Sequence, residues 1–184
     1  MIAYKAFNED LTARMGRGRF QFEPGQVYEE QEANKGKEGF HCAENPLDCF
    51  DYYGIQSGDR YFRVEIFGDI DECDGDTAIA GTKIKLLEEL SLKGMVEAFI
   101  EYMLNYPERD FIKRCGNCVV ERKKAEIKGT GIAIAIGKAP VVKAGKGSVI
   151  AAVVEDENGV ISGAWVAEVD GTDIKADKWY MINE

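Results

Sequence analysis

Gly129-Thr130-Gly131-Ile132-Ala133-Ile134-Ala135-Ile136-Gly137, followed by Val141-Val142-Lys143-Ala144-Gly145 and Lys146-Gly147-Ser148-Val149-Ile150, is the stretch on which the fold turns. Glycines 129, 137 and 145 are eight residues apart, and Ile132-Ala133-Ile134 and Ser148-Val149-Ile150 are sixteen apart. Short apolar segments of strand length, with small residues inside and glycine at each corner, describe a parallel β-solenoid of about one and a half coils. An antiparallel meander with glycine turns satisfies the same pattern, and both readings stay open here. Downstream, Asn158-Gly159 is a hairpin turn signal between the runs 148–154 and 160–169, and Trp179-Tyr180-Met181-Ile182 reads as a closing strand.

Upstream the texture changes. Leu92, Met95, Val96, Phe99, Ile100, Met103 and Leu104 recur at helical spacing, so residues 92–105 are predicted to form an amphipathic helix capped by Ser91 and limited by Pro107. Phe99, in mid-stripe, is assigned to the core of the N-terminal half. Residues 4–7, 61–66 and 83–90 read as strands. Asn45 is a cap and Pro46 a first helical residue for a two-turn helix ending at Gly54, with His41 expected to bond its start. Residues 1–110 carry a net charge of −11 and residues 111–184 of +1. The expected architecture is therefore an α+β N-terminal region (1–110) followed by an all-β C-terminal region (111–184), solenoid-like or meander, joined near 107–125.

The 184-residue chain has a formal charge of −10 and a sequence pI near 4.8. Such a field repels phosphate, which makes nucleic acid an unlikely partner. Hydrophobic residues, 45% of the chain, argue for a packed core. The longest apolar run, Ile132 to Ile136, is far short of a membrane span, and Met1-Ile2-Ala3-Tyr4-Lys5 does not open a signal peptide. The five cysteines, Cys42, Cys49, Cys73, Cys115 and Cys118, are an odd number that suits reduced thiols and a cytoplasmic protein.

Few residues suggest chemistry. Cys115-Gly116-Asn117-Cys118 is a lone CxxC, half of a tetrahedral zinc site, and it precedes a β-like Val119-Val120 rather than opening a helix. His41 is the only histidine, so a multi-histidine metal site is excluded, and Cys42 beside it points the other way on a strand. Asp69, Asp71, Glu72, Asp74 and Asp76 surround Gly75, but an EF-hand register would put Ile70 and Gly81 at ligand positions, so these carboxylates read as a solvated turn. Arg14, Arg17 and Arg19, interleaved with glycine, are candidate anion-binding residues. Gly145-Lys146-Gly147-Ser148 lacks the order and spacing of a phosphate loop. No metal and no cofactor is expected.

Several segments resemble an uncharacterised domain family of bacteriophages, prophages and bacteria: Lys5-Ala6-Phe7 with Asp10-Leu11-Thr12, Phe20-Gln21-Phe22-Glu23 with Gly25 and Tyr28, and, most specifically, Gly39-Phe40-His41-Cys42-Ala43-Glu44-Asn45-Pro46-Leu47-Asp48. Residues 171–180 are similar to that family's closing segment, and residues 129–149 to a shortened form of the Gly/Ala-rich repeats of its longer members. Where many members have Cys before an Arg, Ala13 precedes Arg14 here. The resemblance implies no established activity. The leading expectation is a binding or structural module, a homo-oligomer through its C-terminal β region. The alternative is an ADP-ribosyltransferase-like enzyme acting on NAD, with Lys5, His41 and Tyr52 as candidate catalytic residues. Lys5 stands there where that fold wants His or Arg.

Overall fold

The computed structural model describes residues 1–15, 18–34, 36–55, 58–72 and 77–181, and the chain divides into two compact units, Met1–Ser91 and Leu92–Glu184. No helix among the described residues is long and apolar enough to cross a membrane.

The first unit runs β1 (Ile2–Phe7), β2 (Thr12–Met15), β3 (Gly18–Gln21), β4 (Val27–Glu29), β5 (Phe40–Ala43), a 3-10 helix (Pro46–Asp51), β6 (Arg60–Glu72) and β7 (Ala78–Leu90). β1 pairs antiparallel with β5 and β6, and β7 pairs antiparallel with β5 and β6. These four strands close a ring, so none of them presents a long bare edge; β4 extends the sheet along β7. Ala3, Phe7, Phe40, Phe62, Val64, Ile66, Ile79, Ile84 and Leu86 form its core. The β2–β3 hairpin brings Phe20 and Phe22 to that core. Phe7 meets Phe22 and Phe62 edge-on at centroid distances of 5.1 and 5.6 Å, a geometry that adds ~1 kcal/mol per pair beyond area burial. Asn45 caps the 3-10 helix as its sequence suggests, its Oδ1 accepting from the Leu47 N–H at 3.1 Å with Pro46 next to it. The helix stops at Asp51, one turn short of the expected Gly54.

The second unit runs α1 (Leu92–Asn105), β8 (Lys113–Cys115), β9 (Cys118–Ile127), β10 (Ile132–Ala144), β11 (Val149–Glu155), β12 (Ile161–Glu168) and β13 (Tyr180–Met181). Its sheet has the order β12-β11-β10-β9-β8, with β13 on β10. β9, β10 and β11 are mutually parallel, Ile132 lying opposite both Cys118 and Val149, whereas the β8–β9, β11–β12 and β10–β13 pairs are antiparallel. A straight ten-residue strand would span about 33 Å, and the short links 128–131 and 145–148 could not carry the chain back over that length. The strands bend instead. β9 turns at Lys123 (φ 65°) and β10 at Gly137 (φ 150°), where its register with β9 shifts.

Successive links then lie one on another. The Gly145 N–H donates to the Gly129 carbonyl at 3.0 Å and the Val149 N–H to the Gly131 carbonyl at 2.9 Å. The buried Ser148 hydroxyl donates to the Gly129 carbonyl at 3.0 Å and accepts from the Gly131 N–H at 3.1 Å. A side chain has no room here: a Cβ on Gly145 would stand 2.7 Å from the Gly129 carbonyl oxygen, and one on Gly131 would overlap that of Asn117. Ala133, Ala135, Val119, Val142 and Ile150 share one cluster, with Trp165 and Tyr180 partly buried against it. Ile132, Ile134 and Ile136, on the opposite face of β10, are also buried, each stabilising by about 1.5–3 kcal/mol. α1 packs against β11 and β12, burying Met95, Val96, Ala98, Phe99, Tyr102 and Met103.

These placements correct the expected α+β region followed by an all-β region. The molecule is mostly β, 53% strand and 12% helix, in several sheets. The amphipathic helix is present as expected, but it opens the second unit, and Phe99 is buried there rather than in the N-terminal half. A stripe reveals that a helix is covered, not which sheet covers it. The charge step near Pro107 follows surface residues and carries no information about core membership.

Candidate functional site

Lys5 and His41 adjoin. Lys5 alternates onto the face of β1 shared by Ala3 and Phe7, and its Nζ donates to the His41 carbonyl at 2.6 Å. Burial lowers the Lys5 pKa, and the charges of Cys42 and Cys49 oppose the shift. His41 Nε2 accepts from the Gly36 N–H at 2.7 Å. Burial first and the Lys5 charge second hold the imidazole below its ordinary pKa, against the backbone of Asn34 and Gly39 and the charge of Asp71. A neutral His41 therefore ties Gly36 to β5 instead of bonding the 3-10 helix, whose start Asn45 serves. Tyr52 follows that helix, 74% exposed. The Cys42 thiol, buried beside Lys5, is pushed up to about 12.

Arg14 and Arg19 are backbone register partners on β2 and β3, and Arg17 lies outside the described residues. Arg19 is exposed and helps to lower the pKa of Asp10, after the stronger hydrogen bonds from Thr12. Asp69, Asp71 and Glu72 lie on β6 rather than in a turn, while Cys73, Asp74, Gly75 and Asp76 lie outside the described residues. No group of three or more His, Cys, Asp or Glu among the described residues is placed to hold a metal ion.

The second unit contains a cleft that sequence reasoning missed. It has a volume of about 490 Å³ and runs from the tip of the β8–β9 hairpin, Gly116 and Asn117, along β9 to Trp179. β13 pairs with β10 at Val142↔Tyr180, which sets Trp179 beside Lys143. The Lys124 and Lys143 ammonium groups stand 4.2 and 4.8 Å from the Trp179 ring centroid, and the residue keeps 39% of its surface exposed. Glu126 accepts from Lys143 at 2.7 Å. That bond, foremost, depresses the Glu126 pKa, with the charges of Lys143, Lys128 and Lys124 adding to it. Glu121 is paired with Arg114. Both carboxylates of the cleft are thus matched, and Lys124 and Lys128, whose charges reach Glu126, form no ion pair of their own among the described residues. The weak signal in the sequence is the basic run Arg122-Lys123-Lys124 with Lys128; nothing in it points to Trp179, more than fifty residues away.

No curated protein and no solved structure matches the chain. Residues 1–98 match a family described as "Domain of unknown function (DUF7666)". That match takes in the whole β1–β7 unit and the first residues of α1, just over half of the sequence, and on this ground the chain belongs to the DUF7666 family.

Proposed function

We propose that the protein is a binding module, and that its second unit is a short parallel β-solenoid carrying the recognition site. The observation behind this reading is Trp179: a partly exposed indole flanked by Lys124 and Lys143, with Lys128 in the same cleft. The ammonium groups gathered over the ring accept an anion, and the part of the indole that stays exposed offers apolar contact to the ring that carries it. The ligand class is therefore a ring-bearing organic anion, such as a sugar phosphate or a nucleoside phosphate, rather than a long polyanion, which the −10 charge of the chain repels. Association with phage or prophage genes and a cytoplasmic location belong to the same proposal and rest on the sequence resemblance and the odd number of cysteines. Self-association through the second unit is part of it too: β12 ends the sheet, with β11 its only strand neighbour among the described residues. Nothing in the placement of Lys5, His41 and Tyr52 favours the NAD-dependent transferase.

The test is a fluorescence titration with glucose 6-phosphate, adenosine monophosphate and inorganic phosphate. A ring-bearing anion should quench Trp179, with affinity falling as salt rises, and inorganic phosphate should act more weakly. The double variant K124E/K128E should lose at least tenfold in affinity, about 1.4 kcal/mol. Absence of saturation by either ring-bearing anion up to about 1 mM, about −4.1 kcal/mol of binding, refutes the ligand class.

A further inference from the structure

The CxxC of the sequence is not absorbed by the binding reading, and its placement gives it a different role. Cys115 and Cys118 are register partners on β8 and β9, directly opposite each other across a two-residue hairpin. Gly116, with φ 51°, takes the first central position of that turn, which suits the type II′ geometry of tight hairpins. Both residues are thiols in this structure; Cys115 is partly exposed and Cys118 buried. Opposed residues on a ladder put their side chains on the same face. Cα atoms of a hydrogen-bonded antiparallel pair lie about 5.5 Å apart, inside the range of about 4.4–6.8 Å that a disulfide spans. Their Cβ atoms lie about 4.5–5.5 Å apart on a relaxed ladder, against about 3.5–4.5 Å in a disulfide. The bridge is within reach at the cost of drawing the strands slightly together, and a bridge under such tension is a reducible one.

We propose that Cys115 and Cys118 form a reversible redox couple, oxidised by small-molecule disulfides of the glutathione class. The Cys115 thiolate, the accessible partner, attacks one sulfur of the oxidant, forming a mixed disulfide and expelling one thiolate. Cys118, having lost its proton to solvent, then attacks the Cys115 sulfur, forming the Cys115–Cys118 bond and expelling the second thiolate. The protein loses two electrons and two protons, and the oxidant becomes two thiols. Lys113, two residues before Cys115 on the same face of β8, adds positive charge that favours the thiolate. Cys42 and Cys49 stay out of the exchange, since both are buried and the Cys42 thiol titrates only near 12. The hairpin tip, Gly116 and Asn117, is one wall of the Trp179 cleft, but the couple does not depend on any ligand there.

The experiment uses the full chain and oxidised glutathione at mildly alkaline pH, followed by alkylation and peptide mass mapping of all five cysteines. The wild type should lose two hydrogens, with the bridge inside the single peptide holding Cys115 and Cys118, and dithiothreitol should restore both thiols. Cys118→Ala should hold a stable glutathione adduct at Cys115, because no second thiol resolves it. Cys115→Ala should leave Cys118 unmodified. Should Cys118→Ala fail to fold, acid quenching of the wild-type reaction should trap the same adduct at Cys115 before the bridge appears. A wild type that stays fully reduced, that keeps a persistent adduct at Cys115, or that bridges to another cysteine overturns the proposal.

Discussion

Replacing Gly145 by Ala tests the stacked links directly. Gly145 has an ordinary φ, so the substitution adds no left-handed strain, and only space is at issue. The new Cβ would lie 2.7 Å from the Gly129 carbonyl oxygen, 2.9 Å from its carbon and 3.0 Å from its Cα, all of them backbone atoms. That carbonyl already accepts from the Gly145 N–H and from the Ser148 hydroxyl, each at 3.0 Å. Moving it aside weakens two hydrogen bonds of ~1 kcal/mol each, and leaving it in place costs the ~1–3 kcal/mol typical of overpacking. Gly145→Ala should therefore destabilise the second unit by about 2–3 kcal/mol. Gly163→Ala, on β12, is the control: its Cβ meets nothing within 4 Å, so the change should be neutral or stabilise slightly by narrowing the unfolded ensemble. Both tryptophans, Trp165 and Trp179, belong to the second unit, so urea unfolding followed by tryptophan fluorescence reads this unit apart from the first. Equal midpoints for the two variants would refute the close stacking of residue 145 on residue 129.

Two further outcomes are expected. His41, the only histidine, has a folded pKa below its unfolded value of about 6.5, so the unfolded state binds its proton first. The stability of the first unit should be constant above that value and fall as pH drops below it toward the folded pKa, ahead of the carboxylate range. His41→Gln, which keeps an acceptor for Gly36 and does not titrate, should remove that step in circular-dichroism melts, and a step that persists would exclude His41 as its source. Light scattering at micromolar concentration and about 0.15 M salt should give a mass well above the 20.4 kDa chain; a monomer mass would mean that the β12 edge is covered within one molecule.

Local signals in the sequence survive into the structure. The 92–105 stripe, the Asn45-Pro46 cap and the Asn158-Gly159 turn, where the Asp156 carboxylate accepts from the Asn158 and Val160 N–H groups at 2.8 and 2.9 Å, all operate over a few residues. Pairing is decided over longer distances. The sixteen-residue spacing sets Ile132 opposite Ser148, whereas the register sets it opposite Val149, one residue on, and such a slip exchanges the two faces of a strand. β9 was hidden for a related reason. Glu121, Arg122, Lys123, Lys124 and Glu126 make it read as a charged connection, yet it is parallel to β10 over most of its length, because only Val119, Ala125 and Ile127 need to reach the inner cluster. The Trp179 cleft is the product of both effects. One of its cations, Lys124, comes from a strand whose charges concealed it, and its indole is carried in by a two-residue strand some forty residues further along than β10. The parallel pairing is what joins them: β9 and β10 run the same way side by side and β13 returns to β10, so side chains distant in sequence share the one surface that holds the Trp179 cleft.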